Sequence, residues 1–293
     1  MVDMHMHTTY SDGDKSLEYV LKKCEEKKLE VISITDHNTC LQYKDELLIN
    51  NKIFSGKIII GSELMANLPD GKRIEILAYN IKHPEIIDEW SRKYFNEDVL
   101  RREQEDAKRI LLEACDKNGI IYDMSKVKID VSATDYITVY IAQEILRHKE
   151  NYEKLGELAE SVSVFIRKGL MNPDSDYCTI NTGVDKPMYE DVVDVIHKAG
   201  ALAFLAHPFE YRFEDTIGFI NELRKKANLD GIECFHPSAE SENKIEILLE
   251  YARKNNLYIS GGSDFHGHKK PNINTGVGAG TLNISKKYIE EWI

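Results

Sequence analysis

Met1-Val-Asp-Met-His-Met-His7 opens the chain as a predicted β-strand over Val2 to His7. Side chains two apart on a strand share a face, so His5 and His7 point the same way. Near the other end, Ser263-Asp-Phe-His266 repeats the device with Asp264 and His266. Between these stretches Asp12, His37, Glu63 and His207 each come just after a predicted strand or at its end. Imidazoles and carboxylates gathered at strand ends form the donor set of a multi-metal hydrolytic site.

Strand and helix alternate after that first strand. Ser16–Lys28 reads as a helix with Leu17, Val20, Leu21 and Cys24 on one face, Val31–Thr35 as a short apolar strand, and Thr39–Ile49 as a helix. Strands Lys57–Leu64 and Arg73–Tyr79 are joined through the turn Pro69-Asp-Gly71. From 86 to 186 the texture becomes helical, over Val99–Asn118, Tyr136–His148 and Leu155–Leu170. That stretch is expected to be a helical insertion, a cap, splitting a barrel domain into 1–85 and 187–293. The alternation then resumes: helix Met188–Ala199, strand Ala201–Ala206, helix Phe213–Lys226, strand Gly231–Cys234, helix Ser241–Lys254 and strand Tyr258–Ser263. Short strands alternating with helices predict an α/β fold with a mainly parallel sheet, whose ligands collect at the carboxyl ends of the strands.

The 293 residues are 42% hydrophobic and 30% charged, enough for a sizeable core. No apolar run approaches the roughly 20 residues of a membrane span. The net charge of -12 disfavours broad electrostatic binding of nucleic acid. It leaves an oligonucleotide substrate open, because bound divalent cations reverse the local sign. Five scattered cysteines without a C-x-x-C pair suit a reducing compartment, and with no basic-then-apolar leader the expected location is cytoplasmic.

Each motif also has an ordinary structural reading. Asp12, in Ser11-Asp-Gly13, can be a turn aspartate. In Thr35-Asp-His-Asn38, Asp36 or Asn38 can cap the next helix, whereas His37 has no such need. Glu63 closes Ile58-Ile-Ile-Gly-Ser-Glu63 either as a solvated charge or as a carboxylate bridging two metals. His207 follows an apolar strand in Leu205-Ala-His-Pro208, and Asp264 and His266 follow Gly261-Gly-Ser263. All of the structural readings must hold at once for the site to vanish.

Taken in order, H-x-H, S-D-G, T-D-H-N, a strand-end Glu, A-H-P and G-G-S-D-F-H-G resemble the PHP (polymerase and histidinol phosphatase) domain. More narrowly they are similar to its TrpH/YciV-like phosphoesterase branch. The resemblance implies a distorted (β/α)7 TIM-like barrel with two or three divalent ions: Mn²⁺, Zn²⁺ or Fe, with Mg²⁺ as a further option. His5, His7, Glu63 and Asp264 would hold the first ion, Glu63 and His207 the second, and Asp12, His37 and His266 the third. Two departures stand out. Glu75 occupies a position where the family usually has a histidine, and it either binds the second ion through oxygen or turns to solvent or Arg73. Thr134-Asp-Tyr-Ile-Thr-Val-Tyr140 replaces a G-R-x-H motif of the branch.

The resemblance implies hydrolysis of a phosphate ester by a metal-activated hydroxide. Its implied substrate is a small nucleotide, either a nucleoside 3′,5′-bisphosphate or a short oligonucleotide. No membrane and no stable protein partner is implied. His236, in Cys234-Phe-His-Pro237, is expected to line the site, and the general acid is either His236 or a metal-bound water, between which the sequence does not choose. Asp264 is assigned a catalytic as well as a metal role. Arg212, Lys269 and Lys270 are phosphate-binding candidates that can equally be solvated surface charges. The alternatives are a histidinol-phosphate-type phosphatase, a C–N hydrolase, and a catalytically degenerate module with a regulatory role.

Overall fold

The computed structural model describes residues 1–127, 136–180, 182–183, 185–240 and 243–293. Thr134 and Asp135, singled out in the sequence, lie outside the described residues, as does Ser241. The chain divides into two compact units: Met1–Ala66, Arg73–Lys93 and Pro187–Ile293 form one, and Asn67–Lys72 with Tyr94–Lys186 form the other.

The first unit is a nearly closed barrel of seven strands: β1 (Val2–Asp3), β2 (Val31–Ile34), β3 (Lys57–Asn67), β4 (Arg73–Tyr79), β5 (Leu202–Leu205), β6 (Gly231–Phe235) and β7 (Tyr258–Gly261). They neighbour one another in sequence order. β1, β2 and β3 pair in parallel, as do β5, β6 and β7, while β4 and β5 are antiparallel. β2, Val-Ile-Ser-Ile, is buried along its whole length, as expected for a strand covered on both faces.

Closure explains why the first strand is shorter than Val2–His7. Beyond Asp3 the chain keeps a bond to the end of β2, from Thr35 N–H to Met6 O at 2.8 Å, and pairs on its other side with the end of β7. Met4 N–H donates to Gly261 O at 3.1 Å, His7 N–H to Phe265 O at 2.9 Å, and Asp264 N–H to His5 O at 2.8 Å. Gly262 makes this approach possible, since a Cβ there would collide with the His5 backbone nitrogen.

The helix Leu17–Glu26 starts where Ser16 accepts a capping bond from Tyr19 N–H, and it buries Leu17, Val20, Leu21 and Cys24. These join Met6, Ile32, Ile34 and Phe265 in one apolar cluster between helix and barrel wall. The predicted helix Thr39–Ile49 is broken in two, a 3₁₀ turn over Leu41–Lys44 and a short helix over Glu46–Ile49. Asp45 makes the break: it caps Leu47 N–H at 2.9 Å and accepts from Tyr10 OH at 2.7 Å. Neither Asp36 nor Asn38 caps a helix. Asn38 Oδ1 instead accepts from Met65 N–H at 2.9 Å.

The helix Pro84–Tyr94 has no counterpart among the predicted elements. Asp88 ties it to the barrel unit by accepting from Cys40 N–H at 2.8 Å and Lys44 at 2.7 Å, and Ser91 donates to Asn38 O. In the second unit the helices Glu97–Lys117 and Ile137–Ile145 pack Leu111, Cys115, Ile141 and Ile145 into a separate core with Phe165 and Leu170. The predicted helix Leu155–Leu170 is fragmented there. Gly156 takes a φ of 54°, and Ser161 caps a new start by accepting from Val164 N–H. No helix among the described residues is long and apolar enough to cross a membrane.

Candidate metal centre

All seven strands deliver side chains to one end of the barrel. His5 and His7 lie past β1, His37 past β2, His207 past β5 and His236 past β6, while Asp264 and His266 lie past β7. Glu63 sits within β3, which runs on to Asn67 rather than ending at the carboxylate, and Glu75 sits within β4. Asp12 hangs over the group from its turn. A Cβ on Gly13 would meet the His7 carbonyl carbon at 2.7 Å, so a glycine lets that turn lie against the strand. The structure therefore brings together every metal candidate read from the sequence, Glu75 included.

Glu63, 1% exposed, is the hub. Its Oε2 lies 3.1 Å from His5 Nε2, 3.2 Å from His7 Nε2 and 3.3 Å from His37 Nδ1, whereas Oε1 faces His207 Nε2 at 2.9 Å. Asp264 Oδ1 faces His5, His7 and His266 at 3.5, 3.4 and 3.3 Å. Asp12 Oδ1 approaches His266 Nε2 at 3.2 Å and His37 Nε2 at 3.8 Å. Glu75 reaches His207 Nε2 at 3.3 Å and His37 Nδ1 at 3.8 Å, so it turns into the cluster and not to Arg73. His207 and Asp264 hold backbone φ values of 26° and 55°, in the left-handed region.

Three buried carboxylates stand behind this layer; Glu233 and Asp3 carry no expectation from the sequence, and Asp36 reads there as a candidate helix cap. Glu233, fully buried in β6, takes His5 Nδ1 at 2.9 Å on Oε1 and His207 N–H at 2.8 Å on Oε2. Its one signal was a lone charge within Gly231-Ile-Glu-Cys-Phe235. Asp36 accepts from Thr8 N–H, Thr8 OH and Ser11 OH at 2.7, 2.7 and 2.6 Å, fixing the loop that carries Asp12. Asp3 accepts from Ser263 N–H, Ser263 OH and Gly276 N–H at 2.9, 2.6 and 2.6 Å, fixing the loop that carries Asp264.

Burial works against charge on the ring of His5, yet the carboxylates of Glu63, Glu233 and Asp264 hold its pKa well above the ordinary imidazole value. His7 is likewise buried, but its bonds with Asp264 and Glu63 raise it to about 9. Glu63 and Asp264 answer in kind: burial would raise them, and the imidazoles around them, His5 first, hold both well below the usual carboxylate range. His266 goes the other way, lowered by burial and by its neighbour His7.

The donor set fits divalent cations. His5 Nε2 and His7 Nε2 stand 3.1 Å apart, a distance at which two lone pairs repel unless a cation or proton lies with them. His7 Nδ1, His37 Nδ1, His207 Nδ1 and Asp12 Oδ1 are buried without a hydrogen-bond partner among the described residues. Buried polar atoms are seldom left so.

A cleft of about 230 Å³ opens onto the cluster and is also lined by Glu210, Lys269 and Lys270. His236 is 3% exposed, with Nε2 3.2 Å from Asp264 Oδ2 and Nδ1 2.8 Å from Ser238 Oγ. The ammonium of Lys270 contacts that same Oδ2. Arg212 is exposed and is not among the residues lining the cleft.

The family model of the PHP domain matches residues 3–261. A phosphoribosyl 1,2-cyclic phosphate 1,2-diphosphodiesterase of Eggerthella lenta is 25% identical over 274 residues, covering 90% of this chain and 94% of its own. The 5′-3′ exoribonuclease Rnm of Escherichia coli K12 is 25% identical over 275 residues, covering 90% of this chain and 84% of its own. In fold, the chain is similar to a protein of Bifidobacterium adolescentis described as a metal-dependent phosphoesterase. That likeness has a TM-score of 0.63 at 22% identity, over 100% of this chain and 96% of the other. With its barrel, its clustered donors and a match along most of its length, the chain belongs to the PHP domain family, as a hydrolase acting on phosphate ester bonds.

Proposed function

We propose that this metal-dependent phosphoesterase acts on a nucleotide, either a nucleoside 3′,5′-bisphosphate or a short oligonucleotide, in the cytoplasm and with two or three divalent ions. The carrying observation is the division of labour within Glu63, whose Oε2 faces His5, His7 and His37 while Oε1 faces His207. One carboxylate addressing two sets of imidazoles is suited to bridging two cations. His5, His7, Glu63 and Asp264 would hold one ion, Glu63, Glu75 and His207 a second, and Asp12, His37 and His266 a third. Cations bound there supply Lewis-acid polarisation of the phosphoryl group and a water acidic enough to attack near neutral pH.

The chain's own residues do the positioning. Glu63 and Asp264 stay ionised at neutral pH, so their oxygens stand ready without a proton to lose. Glu233 can only accept while ionised, so His5 carries a proton on Nδ1 and turns Nε2 to the cluster. His236, buried behind the cleft with Nε2 3.2 Å from Asp264 Oδ2, would give a proton to the departing oxygen once substrate reaches it. The oxygen of Glu75 hardens the second set and favours Mn²⁺ or Mg²⁺ over Zn²⁺ there.

Two relatives support the substrate class, one acting on a phosphoribosyl cyclic phosphate and the other being an exoribonuclease. The test is turnover by metal-saturated protein across nucleoside bisphosphates, 5′-phosphorylated oligoribonucleotides and histidinol phosphate. Nucleotides should lead. Preference for histidinol phosphate, or no turnover of any ester, would sink this reading.

A further inference from the structure

The two oxygens of Asp264 serve different neighbours. Oδ1 belongs to the imidazoles of His5, His7 and His266. Oδ2 meets His236 Nε2 at 3.2 Å and the ammonium of Lys270. Two donors thus converge on one oxygen, and of the two Lys270 lines the cleft and has no lone pair to give a cation while it is an ammonium. The backbone of Lys270 is fixed, since its carbonyl accepts from Ile273 N–H at 2.9 Å and Pro271 follows. Its side chain remains 36% exposed, so the ammonium sits on a flexible stem open to solvent.

Charge gives this lysine a task. Apart from the proposed ligands, the cleft is lined by Glu210, Lys269 and Lys270, so these two ammonium groups are what the lining offers a phosphate dianion besides bound cations. An ammonium with three donors can keep one bond to Asp264 and offer the others to a phosphate oxygen.

We propose that Lys270 is a substrate-positioning residue, its ammonium taking a non-bridging phosphate oxygen on the Oδ2 side of Asp264. This rests on the phosphoesterase reading above and names the anchor for its substrate. Arg212, exposed and away from the cleft lining, has no part in it.

The experiment uses full-length, Mn²⁺-saturated wild type, Lys270→Met and Lys270→Arg. Inorganic phosphate is titrated by calorimetry, Mn²⁺ content is read by elemental analysis, and KM and kcat are measured on a 5′-phosphorylated dinucleotide. Phosphate affinity should fall about tenfold or more in Lys270→Met, the scale of one charge-assisted hydrogen bond. KM should rise in parallel, Mn²⁺ content should match wild type, and Lys270→Arg should recover part of the binding. Unchanged phosphate affinity overturns the proposal. So does loss of Mn²⁺ from Lys270→Met, which would make the lysine a support for Asp264. If wild type hydrolyses no ester while Lys270→Met still loses phosphate, the functional reading fails and the phosphate anchor stands.

Discussion

Glu233 Oε1 and His5 Nδ1 meet at 2.9 Å, both side chains fully buried, across 228 residues of sequence. The carboxylate fixes the tautomer and angle of a ring whose other nitrogen belongs to the metal centre. Glu233→Gln keeps the volume but gives up the charge. Mn²⁺ affinity should fall about 10–100-fold, the range for lost carboxylate support of a ligating histidine. Calorimetric titration checks this, with circular dichroism confirming the fold. Wild-type affinity would reduce Glu233 to a packing role.

Glu63→Gln should remove more than one ion. Because both oxygens are engaged, elemental analysis should show occupancy falling at two sites, and turnover should drop by more than about a hundredfold. Wild-type stoichiometry in this variant would show that Glu63 is no bridge.

Glu75→His tests the position that departs from the family pattern. The added imidazole should raise Zn²⁺ affinity relative to Mn²⁺ at the set shared with His207, since nitrogen suits zinc better. Parallel Zn²⁺ and Mn²⁺ titrations of both proteins measure the shift. An unchanged ratio means that the side chain does not ligate.

Metal-free protein should lose stability in mild alkali. His7 is raised from 6.5 to about 9 in the folded state. A raised pKa contributes stability that is fully present below the unfolded value and lost as pH rises through the folded one. Thermal melts of chelated protein should therefore show Tm falling between pH 6.5 and about 9. Metal-saturated protein should not follow, because its ligands have already given up their protons. Identical pH profiles with and without metal would rule out this coupling.

Asp36→Ala should loosen one corner of the centre. Removing the acceptor of three bonds leaves Thr8 N–H and OH and Ser11 OH unmatched, at a cost of about 1–3 kcal/mol for each group that stays buried. The ion held by Asp12, His37 and His266 should be lost first, and chemical denaturation alongside metal analysis separates that from general unfolding.

What the sequence disclosed follows from how far each feature reaches along the chain. His5 with His7, and Asp264 with His266, announce themselves because a strand's two-residue period is local. The seven strands were legible as short apolar runs between helical stretches, which is local information too. Glu233 was not, since its partners His5 and His207 are brought to it by barrel closure and no spacing encodes them. Asp3 hid likewise, its partner Ser263 being 260 residues away. The helix Pro84–Tyr94 was passed over because its attachments, Asp88 to Cys40 and Ser91 to Asn38, are polar and tertiary. Leu155–Leu170 failed differently: its apolar period suits one helix, but Gly156 and Ser161 break it.

The left-handed backbone at His207 and Asp264 sets chemistry against durability. A side chain other than glycine pays about 1–3 kcal/mol to stand in such a conformation. Replacing either residue by glycine would relieve that burden while deleting a ligand. Such a chain should be inert when supplied with metal, and stripped of metal it gives up the ion pairs that His207 makes with Glu63, or Asp264 with His7. Strain and ion pairing thus pull in opposite directions at these two positions, so the backbone that presents the ligands is held by the same charges the ligands supply.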